Sequence, residues 1–244
     1  MRFTVKNTSA APVEVVLAGW LQNAVCRGIA AAGLAQRRNH VVRDGAMTMV
    51  HSTAERLPSD QLPPPRPEIV HETFENGYGA WQREGDAFGA EPAQGTLPGQ
   101  NPVRGFVGKR LVNTFLEGDG TKGSLISPSF TVERRFIAFL MGGGAHAGRT
   151  CMNLLVNGQV VRTATGRNEE RLDWQEWDVS EFEGRKACLQ IVDQATEGWG
   201  HINVDQIVFT DSPPSARTPL EEREDYGSMG LAVLGDDAAT FART

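Results

Sequence analysis

Met152-Asn153-Leu154-Leu155-Val156-Asn157-Gly158-Gln159-Val160-Val161-Arg162 is a pair of apolar, β-branched-rich runs joined by Asn-Gly. Both turn residues tolerate positive φ, and a two-residue Asn-Gly link matches the twist of paired strands, so the stretch predicts an antiparallel hairpin. Just upstream, residues 136–141 form an unbroken apolar run that ends in Gly142-Gly143-Gly144. That is the pattern of a central strand buried on both faces. Downstream, residues 189–193 and 202–209 alternate apolar and polar side chains with period two, which predicts half-buried strands. Strand and turn signals succeed one another at short spacing with no helical pattern between them, so the segment is expected to be a jelly-roll β-sandwich in an all-β chain.

Composition agrees with that expectation. The 244 residues include 27 glycines and 13 prolines that punctuate short apolar runs, and only residues 23–36 have a helical period. A net charge of −6 argues against a phosphate-binding surface, so no nucleic-acid partner is expected. No run of 18 apolar residues offers a membrane span, and Met1-Arg2-Phe3-Thr4 leads into a strand-like pattern without a signal-peptide core. The expectation is a soluble chain with no membrane partner, its compartment left open. Cys26, Cys151 and Cys188 lack zinc-ribbon or redox spacing and read as small buried side chains. One disulfide, between Cys151 and Cys188, is the alternative.

Two proline-rich polar stretches divide the chain. The reading gives a first part of a host β-domain at 1–58, a linker at 59–68, the β module at 69–210, a linker at 211–225 and a return segment of the host at 226–244. Residues 3–8 and 13–17 read as two strands around a turn at 9–12, and 227–234 as a further apolar run; neither flank is expected to have a core of its own. Because both flanks alternate as a disordered tail would not, the preferred reading is one incomplete β-domain with the module inserted in a loop, and the alternative is that the flanks are frayed tails.

The module's motifs carry a resemblance. Phe74-Glu75-Asn76-Gly77-Tyr78-Gly79-Ala80-Trp81, Gly95-Thr96-Leu97-Pro98-Gly99-Gln100, Gly142-Gly143-Gly144, Val161-Arg162-Thr163-Ala164-Thr165-Gly166 and Gly198-Trp199-Gly200-His201-Ile202-Asn203-Val204-Asp205 occur in order. Together they resemble carbohydrate-binding module family 66, the levan-binding type appended to fructan hydrolases. The resemblance implies a jelly roll that grips the terminal fructose of levan-like fructan in a small pocket. In the flanks, Val5-Lys6-Asn7-Thr8, Pro12-Val13-Glu14-Val15, Gly19-Trp20-Leu21-Gln22-Asn23-Ala24 and Asp225-Tyr226-Gly227-Ser228-Met229 resemble the N-terminal β-domain of glycoside hydrolase family 116, the bile-acid β-glucosidase or glucosylceramidase type. There the resemblance implies a catalytic helical barrel downstream, and no catalytic residue carries over to this chain.

A sugar pocket needs acceptors for vicinal hydroxyls, a bidentate donor and an apolar face against the ring. Arg162, Arg167, Glu169, Glu170, Asp173, Trp174, Asp193, Trp199 and His201 supply these types, in two loop regions at 162–174 and 193–201. The carbohydrate contacts are expected from Arg162, Glu169, Glu170, Asp173, Asp193, Trp199 and His201. Two readings stay open for Trp199, a sugar platform freed by its flanking glycines or a ring folded over the core edge. Trp81, Trp174 and Trp177 are expected in the core, and Trp20 in the other domain. His146 and His201 lack zinc-site spacing and are read as hydrogen-bonding groups.

Glu72, Glu75, Asp205 and Asp211 lie at the first and last strands, and four such carboxylates suit a structural calcium ion if they meet where those strands pair. No other cofactor is expected. Asp119, between Gly118 and Gly120, reads as a turn residue. Glu169, Glu170 and Asp173 are too close along the chain to flank a scissile glycosidic bond, so no catalysis is expected. The triple glycine lacks the Lys-Ser or Lys-Thr and helix of a phosphate loop. The sequence therefore predicts a binding module tethered to a catalytic domain, with a structural spacer that never meets sugar as the alternative.

Overall fold

The computed structural model describes residues 6–16, 18–31, 33–61, 64 and 66–234. In chain order the elements are α1 (Arg27–Ala31), β1 (Ala35–Asp44), β2 (Met47–Arg56), β3 (Ile69–Glu72), β4 (Gln82–Gly85), β5 (Val112–Asn113), β6 (Gly123–Ile126) and β7 (Phe130–Thr131). After these come β8 (Phe136–Gly143), β9 (Thr150–Val156), β10 (Gln159–Ala164), β11 (Glu169–Asp178), β12 (Lys186–Asp193), β13 (Ile202–Thr210), α2 (Pro214–Arg217) and β14 (Met229–Leu234). The chain divides into two compact units, Asp60–Thr218 and Met1–Ser59 with Pro219–Thr244.

The Asp60–Thr218 unit is a β-sandwich. One sheet runs β10-β9-β12-β6-β4, with β7 also on β12; the other runs β11-β8-β13-β3, with β5 also on β13. Neighbouring strands are antiparallel throughout. Met152, Leu154, Leu189 and Ile191 of the first sheet meet Ile137, Phe139, Met141, Val204 and Trp177 of the second in one buried cluster. Burial of that apolar area is the main driving force for the unit. The β9–β10 hairpin turns at Asn157 and Gly158, at φ 53° and 74°, as the Asn-Gly pair requires.

All eight residues of β8 are buried. Ile137, Phe139 and Met141 face the core, while Leu140 joins Val103, Leu111 and Leu172 in a second cluster on the outer face, with Phe106 packed against it. The same covering loop explains why β13, expected to be half-buried, is buried at eight of its nine positions: the Val107 N–H donates to Asp205 at 2.7 Å from outside the sheet. Trp81 and Trp177 are core residues, but Trp174 is 41% exposed. Trp174 and Trp177 are three apart, so a strand puts them on opposite faces, and only Trp177 reaches the interior.

The other unit is smaller. β1, β2 and β14 make an antiparallel sheet in the order β1-β2-β14, so segments from both flanks pair through Met229 opposite Ser52 and Leu231 opposite Val50. Its small core draws on both flanks: Val25, Cys26, Ile29, Ala35 and Ala54 from the first and Leu220 from the second, with Met229 against it. The helical period at 23–36 yields the short α1 before the chain enters β1. The stretch at 211–225 holds α2 and a helical turn at Leu220–Glu222 whose Leu220 is buried, so it is ordered rather than a bare linker. Residues 6–8 and 12–16 belong to no strand, since Val13, Val15 and Val16 find no partner and stay exposed. Residues 1–5, 17, 62, 63, 65 and 235–244 of the expected strands, linker and return segment lie outside the described residues. The three cysteines are free thiols.

Candidate functional site

Where Gly143 pairs with both Ile202 and Glu169, one end of the sandwich gathers polar side chains from distant segments. Glycines make room for it. A Cβ on Gly143 would lie 2.6 Å from the His201 carbonyl, and one on Gly144 would overlap the Trp199 carbonyl. Gly143 and Gly144 therefore admit the 194–201 loop against β8, while Gly142 makes room for the Arg171 and Glu169 carbonyls of β11. Trp199 sits at the head of that loop with φ 64°, an uncommon backbone state for a bulky residue that marks an over-determined turn. Its half-buried ring lies over the His201 ring, centroids 5.7 Å apart and planes 28° apart.

His201 is the centre of the site. It is 2% exposed, its Nδ1 lies 2.7 Å from Asp119 Oδ1 and its Nε2 3.3 Å from Glu170 Oε2. A ring with a carboxylate at each nitrogen needs two N–H donors, which only the imidazolium offers. Burial depresses its pKa, yet the hydrogen bonds to Glu170 and Asp119 outweigh that and raise it above the ordinary value. Glu170, 8% exposed, also accepts from Asn203 at 3.0 Å and Gln100 at 2.9 Å. Asn113 donates to Gln100 Oε1 at 2.7 Å and to the Gly95 carbonyl at 3.0 Å, fixing the loop that carries Gln100. Phe115 packs its edge on His201 at 5.0 Å.

Asp193 ends β12 in the same region and is fully buried. Neither of its oxygens accepts a hydrogen bond of normal geometry, and the facing Thr150 hydroxyl is also unpaired. Desolvation raises its carboxyl to about 7, against the pull of the Thr114 hydroxyl and of His201. On the outside of the loop, His146 contacts the Gly198 carbonyl at 3.1 Å and Arg149 pairs with Glu197, whose carboxyl falls to about 2 chiefly through that bond.

Of the residues expected to hold sugar, Glu170, Asp193, Trp199 and His201 come together at this end. Glu169 is exposed at the start of β11, opposite Gly143, and Asp173 lies farther along, paired with Arg171 at 3.0 Å. Arg162 is directed elsewhere. Its guanidinium bonds the Asp178 carbonyl at 3.0 Å and the Glu181 carboxylate, and stacks 5.1 Å from the Phe182 ring centroid. Asp119, Gln100, Asn113 and Asn203 join the network although residue type and spacing do not mark them as contacts. For Asp119 the available signal is its glycine frame; Gln100 and Asn203 stand inside the module's motifs.

The four carboxylates assigned to calcium separate. Glu72 accepts from the Thr73 and Phe74 N–H groups and from the Trp81 indole at 3.0 Å. Asp211 is gripped by Arg66 at 2.6 Å, which, despite partial burial, lowers its carboxyl to about 2. Glu75 and Asp205 stay near each other: burial first, then the Glu75 charge, lift Asp205 to about 6, and its Oδ1 is buried without a partner. Glu75 itself accepts the Lys109 and Arg110 N–H groups. Among the described residues no group of three or more His, Cys, Asp or Glu is arranged to hold a metal ion.

No family model matches the chain. It is 45% identical over 174 residues to a protein of Aspergillus rugulosus that bears the name glycosyl hydrolase ecdE. The matched stretch is 70% of this chain and spans about a quarter, 24%, of that relative's length. Among solved structures, the K3 adhesin domain of Lys-gingipain from Porphyromonas gingivalis aligns with 59% of this chain and 98% of its own, at 16% identity and TM-score 0.41. TmCBM61 in complex with β-1,4-galactotriose aligns with 57% of this chain and 92% of its own, at 18% identity and TM-score 0.36. A family 35 carbohydrate-binding module from Clostridium thermocellum aligns with 59% and 97%, at 12% identity and TM-score 0.32.

Proposed function

We propose that the Asp60–Thr218 unit binds carbohydrate and does no chemistry on it, at the sandwich end built around Trp199. The observation that carries this reading is the half-buried Trp199 ring held over His201, whose ring also holds the Asp119 carboxylate, a side chain that is 24% exposed. An aromatic face next to a fixed acceptor is the chemistry that holds a sugar ring and its hydroxyls. Glu169 and Glu170 are adjacent on one strand and point to opposite faces, so they do not make a facing pair around a glycosidic bond. The relative's name supports a role beside a glycosidase, and the matched quarter of its length supports an accessory one.

The finer part of the proposal is a terminal fructoside as ligand, delivered to a tethered catalytic domain by raising its local concentration. Calorimetric titration of the full chain with levan, inulin and β-glucan oligosaccharides tests it. The expected result is weak, saturable binding to the fructans that Trp199→Ala abolishes; no heat with any sugar overturns it.

A second reading, a structural insert that meets no sugar, draws on the burial of His201, Glu170 and Asp193 inside the network. Failure to bind any glycan, with unfolding unaffected by Trp199→Ala, favours it. The four-carboxylate calcium site narrows in this proposal to Glu75 and Asp205, since Glu72 and Asp211 are engaged elsewhere and the buried Asp205 Oδ1 has no protein partner. Thermal unfolding in EDTA and in CaCl2 checks this: a cation bound only by the folded state raises the midpoint with its concentration.

A further inference from the structure

We propose that His201 is a positioning residue whose imidazolium ties the loop carrying Asp119 to the strand carrying Glu170, so that sugar capture at the Trp199 face weakens once that cation loses its proton. The linkage rests on the carbohydrate reading above; the tie itself does not.

The geometry joins three segments far apart in sequence. Asp119 belongs to the loop between β5 and β6, Glu170 to β11 and His201 to the start of β13. Asp119 sits between Gly118 and Gly120, where even an added Cβ would meet nothing within 4 Å, so the loop has little packing of its own at this point. Among the described residues, His201 is the one hydrogen-bonding side chain that holds Asp119. Glu170 needs no such help, being held by Gln100 and Asn203 as well. Loss of the proton leaves the imidazole one N–H for two carboxylates, and the contact without a hydrogen becomes repulsive. The loop is the partner free to leave.

The charges facing His201 agree from every side. Asp119 faces it from the loop and Glu170 from β11, and Asp193, at the end of β12, lies close enough for the His201 charge to act on it. Trp199 and Phe115 close the remaining sides with uncharged rings. His146, Arg149 and Glu197 brace the outside of the same loop as Trp199. With the imidazolium present, one cation sits among three acidic groups; without it, no positive side chain among the described residues hydrogen-bonds Asp119, Glu170 or Asp193. Trp199 stacks on the same ring, so a change in His201 reaches the sugar face directly.

The test uses the full chain with labelled histidine. Expected are a His201 titration midpoint above the ordinary value near 6.5, and slower amide exchange in residues 115–122 at pH 6 than at pH 8.5 after correction for intrinsic rates. Binding of levan-derived oligosaccharides should weaken by about three- to tenfold over that interval, as expected for a proton linkage of up to about one unit. His201→Gln, which keeps one amide donor, should bind with a flatter pH profile than the parent, and the double variant His201→Gln/Asp193→Asn removes the remaining dependence from the Asp193 carboxyl, which titrates at about 7. A His201 midpoint below 6, pH-independent loop protection, or an unchanged pH profile in His201→Gln overturns the proposal. If the variant does not fold, the wild-type titration and exchange decide alone. A pH-dependent loop with no sugar bound at any pH upholds the tie and overturns the carbohydrate reading.

Discussion

At the end of the sandwich where Gly143 meets Ile202, acidic side chains are buried around a single histidine; at the end where Phe136 meets Thr210, they are paired with arginines near solvent. There Arg66 bridges Asp211 and Glu183, Arg135 pairs with Asp178 at 3.1 Å, and Arg162 with Glu181. The residue types are similar and the physics is opposite. Exposed pairs are screened by water and salt and contribute little each. A buried carboxylate has no such relief, so it holds a proton or takes a cation. Ion pairs thus fasten one end, while the other is poised to respond to protons or ligands.

The largest way to break this contrast is to fill the space that admits the Trp199 loop. Gly144→Ala is expected to destabilise the chain by about 3 kcal/mol or more, because its Cβ would strike main chain rather than a movable side chain. Chemical denaturation measures it, and a loss below about 1 kcal/mol would show that the loop can move aside.

Next in size is the pH response. Asp193 holds its proton better folded than unfolded, so its presence lowers stability as pH climbs from the unfolded value near 4 through about 7. Asp193→Asn should therefore be more stable than the parent at pH 8 by about 2 kcal/mol, and the two should converge below pH 4. Equal unfolding midpoints at pH 8 would refute the buried, poorly satisfied carboxylate.

The arginine end should behave in the opposite sense. Asp211 is stabilised as an anion, so its contribution is full above the unfolded value near 4 and is lost as pH falls through about 2. Asp211→Asn should flatten the acid limb of the stability profile, a smaller effect seen by thermal unfolding between pH 2 and 4. Least of all, Arg162→Ala should cost about 0.5–1 kcal/mol, part of it lost packing on Phe182, and leave sugar affinity unchanged. A change in affinity would move the site toward Arg162.

How far the sequence tells these regions apart depends on what each strand needs from its side chains. Asn157-Gly158 and the apolar run of β8 are legible because burial and turn geometry are written in residue types. β1 is not, since Ala35–Asp44 is exposed at nine of ten positions and pairs through its backbone; its local cue is Gly45, the first of the two turn residues, at φ 53°. Trp174 reads as core from its place beside an alternating pattern, but that same alternation lets only one of Trp174 and Trp177 face inward. For the site, nearness in sequence is an incomplete guide to nearness in space. Glu170, Asp193, Trp199 and His201 converge, but Arg162 belongs to a strand whose register carries its side chain toward Asp178. Asp119 is unreadable as a site residue, because its role exists only when a loop 82 positions from His201 folds back on it.

The pairing of β3 with β13 also bears on how the chain folds. These are the first and last strands of the sandwich, Ile69 opposite Phe209, and Thr210 bonds Glu68 at 2.9 Å. Once they are zipped, the whole stretch between β2 and β14 behaves as a short tether rather than a long one. Each halving of the effective loop lowers the closure penalty for bringing β14 to β2 by about 0.6 kcal/mol. The three-stranded sheet should then appear after the sandwich in refolding, and its assembly rate should depend on the sandwich being intact.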